Sequence, residues 1–257
     1  MPHEFELRKE ITLDATPEQV WEAIATGPGI DAWFMGRNEV EPRAGGRTAM
    51  TIGPHTEEGT VTAFDPPRRF AYQGGEPGNV GFMAFEWLIE GRDDGTAVLR
   101  LVQSGILGDD WETEYDALTR GWDMYLHQLA QYLAHFRGRT ATPVMAMAPG
   151  AADPEQVWPR LRQALALSGP PTEGDKVRLT PEGLDPIEGV VDWVSPDAFG
   201  ARADDALYRF IRGFDGSVAL GHHLYADDVD AKEVEAAWQA WLSRLFDAGE
   251  NVEEAIP

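Results

Sequence analysis

One pattern is written twice along this chain, and that duplication constrains its fold more than any other feature. The segment TPEQVW (Thr16–Trp21) returns as DPEQVW (Asp153–Trp158). Each copy is a helix start: Thr16 or Asp153 is the N-cap, Pro17 or Pro154 fits the first helical position, and Gln19 or Gln156 completes a capping box. Glu58-Gly59-Thr60-Val61 is echoed by Glu188-Gly189-Val190-Val191, with Pro66 and Pro196 following. Asp94-Gly95-Thr96 is echoed by Asp215-Gly216-Ser217, each set between apolar stretches as in a tight hairpin. Trp122, Tyr125, Leu126 and Leu129 share their spacing with Trp238, Trp241, Leu242 and Leu245, the stripe of an amphipathic helix. Four matches in one order imply a repeated structural unit.

The second copy is trimmed. Trp21 and Trp122 lie 101 positions apart, whereas Trp158 and Trp238 lie 80 apart. Seven of the missing residues fall before the Glu-Gly strand and fourteen after it. The first loss corresponds to Gly29–Pro42, which contains Asp31-Ala32-Trp33-Phe34. The expected organisation is a complete domain over 1–138, a shortened, degenerate domain over 142–250 and an acidic tail over 251–257.

Within the first copy, Phe5–Leu13 alternates as a strand, and Pro17–Ala25 is a short helix ended by Gly27-Pro28-Gly29. Arg47–Ile52, Gly59–Phe64 and Arg69–Gln73 read as strands, and Phe82–Ile89 with Ala97–Gln103 as a hairpin. Residues 112–136 form one long helix. In the hairpin, Met83, Phe85, Trp87 and Ile89 share one face with Ala97, Leu99, Leu101 and Gln103, leaving Arg100 outside. The expected class is α+β: a curved antiparallel sheet wrapped on a long C-terminal helix, present twice. Gly121, just before Trp122, is expected to let the helix approach a neighbour closely.

Composition narrows the function. With 44 acidic and 21 basic side chains the net charge is −23, which argues against binding nucleic-acid phosphates or an anionic membrane. The absence of cysteine excludes disulfides, thiolate metal sites and a Cys nucleophile. No apolar run is long enough to span a membrane, and the N-terminus lacks the basic start and apolar stretch of a signal peptide, so a cytoplasmic location is expected.

The first copy resembles the START-like (SRPBCC) superfamily, and within it the bacterial family named after the C-terminal domain of the heat-shock-protein-90 ATPase activator. The resemblance rests on PEQVWEAI (17–24), DAWF (31–34), PRAGG (42–46), EGTVTAFDPPRRFAY (58–72), DDGTAVLRL (93–101) and Gly121-Trp122 with its leucines. The second copy looks like a degenerate version lacking the AWF segment. The resemblance implies the helix-grip architecture and a ligand cavity between sheet and long helix. Its lining would include Trp33, Phe34, Phe70, Tyr72, Phe85, Trp87, Leu99, Leu101, Gln103, Trp122 and Leu126, with Gln103 and Tyr72 as orienting polar groups.

Chemistry-bearing motifs are sparse. There is no HExxH, EF-hand, GxGxxG, P-loop or nucleophile-elbow pattern, so no catalytic residue, metal or cofactor is expected. Adjacent His222 and His223 would face opposite sides of a strand. Glu58 and Glu188 read as solvated strand ends. The runs Asp109–Glu114 and Asp227–Asp230 read as caps for the helices that follow. The favoured reading is a non-enzymatic protein that binds a hydrophobic small molecule in its first domain. The alternatives are a cyclase- or dehydratase-like enzyme using the same cavity, and an acidic chaperone-associated adaptor for a protein partner.

Overall fold

The computed structural model describes residues 2–148, 154–213 and 216–246. The chain divides into two compact units, Met1–Ala141 and Thr142–Pro257. In the first, β1 (His3–Leu13) leads into α1 (Pro17–Ala25) and α2 (Gly27–Asp31). Six strands follow: β2 (Arg37–Val40), β3 (Arg47–Ile52), β4 (His55–Asp65), β5 (Arg69–Gly74), β6 (Met83–Gly91) and β7 (Ala97–Leu107). The unit ends with α3 (Trp111–His135). Its antiparallel sheet has the order β1-β7-β6-β5-β4-β3-β2.

The second unit runs β8 (Thr142–Ala148), α4 (Pro154–Ala164), β9 (Lys176–Leu179), β10 (Ile187–Val194), β11 (Ala198–Arg202), β12 (Ala206–Arg212), β13 (Val218–Leu224) and α5 (Ala231–Phe246). Among the described residues its sheet has the order β8-β13-β12-β11-β10-β9, the arrangement of the first unit without a counterpart of β2. In each unit the tryptophans of the last helix pack on the sheet: Trp122 against Trp87, and Trp238 against Phe210. The fold is α+β, a helix grip made twice.

The repeat extends to backbone detail. The β4–β5 pairing shifts register between Val61 and Ala63, and the β10–β11 pairing shifts between Val191 and Trp193, two residues beyond the matched glycine in each. Those glycines face a carbonyl of the next strand: a Cβ on Gly59 would lie 2.6 Å from the Gln73 oxygen, and one on Gly189 2.5 Å from that of Arg202. No side chain fits there, which explains why glycine stands at this position in both copies. Val61 exchanges backbone bonds with Gly45 and Gly46, and Val191 does so with Gly174 and Asp175.

The trimming is equally concrete. The segment lost before β10 is the one that in the first unit builds the end of α2, the Trp33-Phe34 corner and β2. Gly27-Pro28-Gly29 does not simply end α1, as its composition suggests; it begins α2. Thr26 accepts the Gly29 N–H at 3.1 Å, and Pro28 occupies the first turn, so cap and proline start a helix here as they do at Thr16. At the other end, the eight residues joining β5 to β6 shrink to three between β11 and β12.

Two helix details differ from expectation. A Cβ added to Gly121 would meet nothing within 4 Å, so this glycine serves no close approach. It only weakens α3, and Gly121→Ala is expected to raise stability by about 0.5–1 kcal/mol in denaturant unfolding. Of the two acidic runs, only the second caps by side chain. Asp230 accepts the Lys232 and Glu233 N–H groups, whereas Asp110 binds the Thr113 hydroxyl instead. Asp153, Asp215 and the 251–257 tail lie outside the described residues.

Candidate functional site

The expected lining residues of the first unit come together through strand register. Phe70 lies opposite Trp87, and Trp87 opposite Leu101, giving one row across β5, β6 and β7. Two residues along, Tyr72, Phe85 and Gln103 form the next row on the same face. Leu99 continues that face opposite Ile89. Helix α3 sets Trp122 and Leu126 over these rows, and the corner after α2 adds Trp33 and Phe34. The seven rings form one connected network. Tyr72 stacks on Phe85 at 4.8 Å, and Trp122 meets Trp87 at 5.5 Å and Phe34 at 5.4 Å. Trp33 touches Trp87 at 6.2 Å, and Phe70 touches Tyr72 at 5.4 Å.

Hydrogen bonds fix the anchors. Trp122 Nε1 donates to Gln103 Oε1 at 2.6 Å, joining helix to sheet inside the core. Trp33 Nε1 donates to the Ala23 carbonyl at 2.9 Å, while Gln128 Nε2 donates to the Trp33 carbonyl at 2.8 Å. An aromatic corner held at both ends keeps one geometry, which a recognition surface requires.

The interior is fully buried at one end and half-buried at the other. Trp33, Phe70, Leu99 and Leu101 are each 1% exposed, whereas Phe34, Tyr72 and Phe85 are only half-buried. Met83, Tyr115 and Leu118 at the same end are also half-buried. Desolvation pushes the Tyr72 phenol above its ordinary pKa, against the opposing effect of a hydrogen bond with Trp87. Tyr72 therefore keeps its proton at neutral pH, as a hydrogen-bond donor rather than a base. The Gln103 carboxamide oxygen is engaged by Trp122, and its nitrogen reaches only Met83 Sδ at 3.5 Å.

Two groups escaped the sequence reading. Thr119 lies on the α3 stripe between Tyr115 and Trp122, and its buried Oγ1 has no hydrogen-bond partner among the described residues. A threonine in an amphipathic stripe carries no signal of its own; only the burial of its oxygen distinguishes it. In the second unit, His222 faces the helix, 4.5 Å from Trp238, and takes the place that Gln103 holds beside Trp122 in the first. Strand register, counted outward from the matched glycines, exposes that exchange. Glu58 and Glu188 are exposed and pair with Arg47 and Arg178; Glu188 lies at the start of β10, whereas Glu58 lies inside β4 rather than at a strand end. Among the described residues no group of three His, Cys, Asp or Glu side chains is placed to hold a metal. No described helix is long and apolar enough to cross a membrane.

A curved antiparallel sheet closed by a long C-terminal helix over a ring-lined interior defines a START-like helix-grip protein. Residues 14–134, within the first unit, match the family described as Activator of Hsp90 ATPase homolog 1-like protein. No curated protein matches the chain. Among solved structures it is similar to protein MLL2253 from Mesorhizobium loti, with 22% identity, a TM-score of 0.45, and 51% of this chain and 98% of that chain covered. The di-domain ARO/CYC BexL from the BE-7585A biosynthetic pathway is similar along 98% of this chain and 100% of its own, with 15% identity and a TM-score of 0.46. DynU16, from the dynemicin biosynthetic locus, covers 95% of this chain and 98% of its own, with 18% identity and a TM-score of 0.45.

Proposed function

We propose that the first unit is a non-enzymatic binding domain that holds a hydrophobic small molecule between its sheet and α3. The observation that carries this reading is the contrast between adjacent rows of one sheet face. Phe70, Trp87 and Leu101 are buried, while Tyr72 and Phe85, on the same face, are half-buried. Covering such surface with an apolar ligand is favourable by roughly 25 cal/mol per Å². The Tyr72 hydroxyl, the Gln103 amide nitrogen and the Thr119 hydroxyl suit a ligand with one or two oxygen acceptors on a largely apolar body. In this reading the second unit is a structural or regulatory module.

The test is titration of the full chain with N-phenyl-1-naphthylamine, an uncharged fluorophore, followed by displacement with lipid-like and polyketide-like compounds. Saturable enhancement with quenching of tryptophan emission is the expected result. Tyr72→Phe removes one donor and is expected to weaken oxygen-bearing competitors by roughly 3–10-fold while leaving the fluorophore's affinity unchanged. Absence of saturable binding by the fluorophore and by a broad apolar library overturns the reading.

A further inference from the structure

The second unit contains an apolar cleft of about 160 Å³ between α4, the segment that follows it, and the β10–β11 turn. Its walls include Trp158, Leu165, Pro170, Val194 and Phe199, and Arg162 is the one charged residue lining it. The duplication explains why a hollow exists here. In the first unit Trp21 packs edge-on against Phe64 at 5.0 Å and against Phe70 at 6.3 Å. Trp158 stands where Trp21 does, the fifth residue of its helix. Phe199 stands for Phe70, and Val194, five residues beyond the matched glycine, stands for Phe64. A ring has become an isopropyl group. The indole cannot swing across to fill the space, because Trp158 Nε1 is held on the Pro196 carbonyl at 2.8 Å. Val194 consequently remains 39% exposed, one of the most exposed large apolar side chains described.

The polar groups at this cleft divide clearly. Ser195 Oγ is used by its own turn, accepting the Ala198 N–H at 2.9 Å and the Asp197 N–H at 3.3 Å. Arg162 has neither an ion pair nor a side-chain hydrogen bond among the described residues. Acids outnumber bases by more than two to one in this chain, and Arg47, Arg100, Arg178, Arg209 and Arg212 all hold carboxylates. A half-buried arginine left without a carboxylate, beside an apolar hollow with an indole wall, matches an anion that carries its own hydrocarbon. We propose that this cleft binds a small aromatic carboxylate. The ring lies among Trp158, Val194 and Phe199, and the carboxylate pairs with the Arg162 guanidinium. The site is separate from the ring-lined interior of the first unit and does not rest on it.

The test compares 2-naphthoate with its uncharged amide, 2-naphthamide, by isothermal titration calorimetry on the full chain. Arg162→Gln is expected to weaken the carboxylate by roughly tenfold or more and to leave the amide unchanged. Val194→Phe restores the residue that the first unit carries, fills the hollow, and is expected to abolish binding of both compounds with the melting temperature held or raised. The proposal is overturned by absence of naphthoate binding, by equal binding of both compounds with no response to Arg162→Gln, or by binding that survives Val194→Phe.

Discussion

Replacing His222 with leucine, which cannot take up a proton, is expected to flatten the acid limb of the stability profile. His222 is fully buried, and desolvation, with smaller contributions from His223 and Arg209, lowers its pKa from 6.5 to about 3. The folded imidazole therefore stays neutral while the unfolded one takes up a proton below pH 6.5. Stability from this group is complete above that pH and is lost as pH falls toward about 3. The slope is ~1.4 kcal/mol per pH unit, so moving from pH 7.5 to 5 costs the parent ~2 kcal/mol that the leucine variant keeps. Leucine carries its own penalty, independent of pH. His222 Nδ1 accepts the Arg209 N–H at 3.2 Å, in the interval where the β12–β13 ladder passes from Leu207↔His223 to Phe210↔Leu220. Losing that acceptor lowers the variant's curve at every pH without changing its shape. Urea unfolding across pH 4.5–7.5 separates the two effects, and parallel curves would show that His222 does not titrate on unfolding.

A larger loss is expected from Asp192→Ala. Arg209 and Asp192 form a two-pronged pair, Nη1–Oδ1 at 3.0 Å and Nη2–Oδ2 at 2.6 Å, with side chains 1% and 6% exposed. The guanidinium lies over Gly200, where a Cβ would come within 2.6 Å of Nη1, so it has no room to withdraw toward the sheet. Removing the carboxylate leaves a buried charge without its partner, at a cost of about 3–5 kcal/mol. The double replacement Asp192→Leu with Arg209→Met removes both charges and is expected to recover most of that loss. Urea midpoints for parent, single and double variants decide it. A single variant within 1 kcal/mol of the parent would contradict the account.

Much of this architecture was legible because it follows from short-range rules. The Thr16 capping box, the alternation in β6 and the stripe of α3 are each written locally, and the duplication announced a second, shortened unit of the same kind. The α2–β2 segment was not legible in the same way. Gly27-Pro28-Gly29 has the composition of a breaker, and Arg37–Val40 is a short, charged edge strand of the kind that sheets place at their margins. The rows of the candidate site followed from register, so all seven rings fell into one network. What the pattern could not disclose was the difference between buried and half-buried rings. That depends on how far β6, β7 and the start of α3 extend past the core, a matter of tertiary placement. Thr119 and the cleft beside Val194 belong to the same category, since each is defined by atoms that are missing around it.

The central claim is that the front unit takes an apolar ligand at the half-buried end of its sheet–helix interior. Methionine-methyl NMR of the full chain, titrated with N-phenyl-1-naphthylamine, tests it most directly, because Met83 lies at that end beside Gln103 while Met145 and Met147 lie on β8. The account predicts a saturable shift of the Met83 methyl with Met145 and Met147 unmoved. A Met83 signal that stays in place while the ligand binds elsewhere would contradict it.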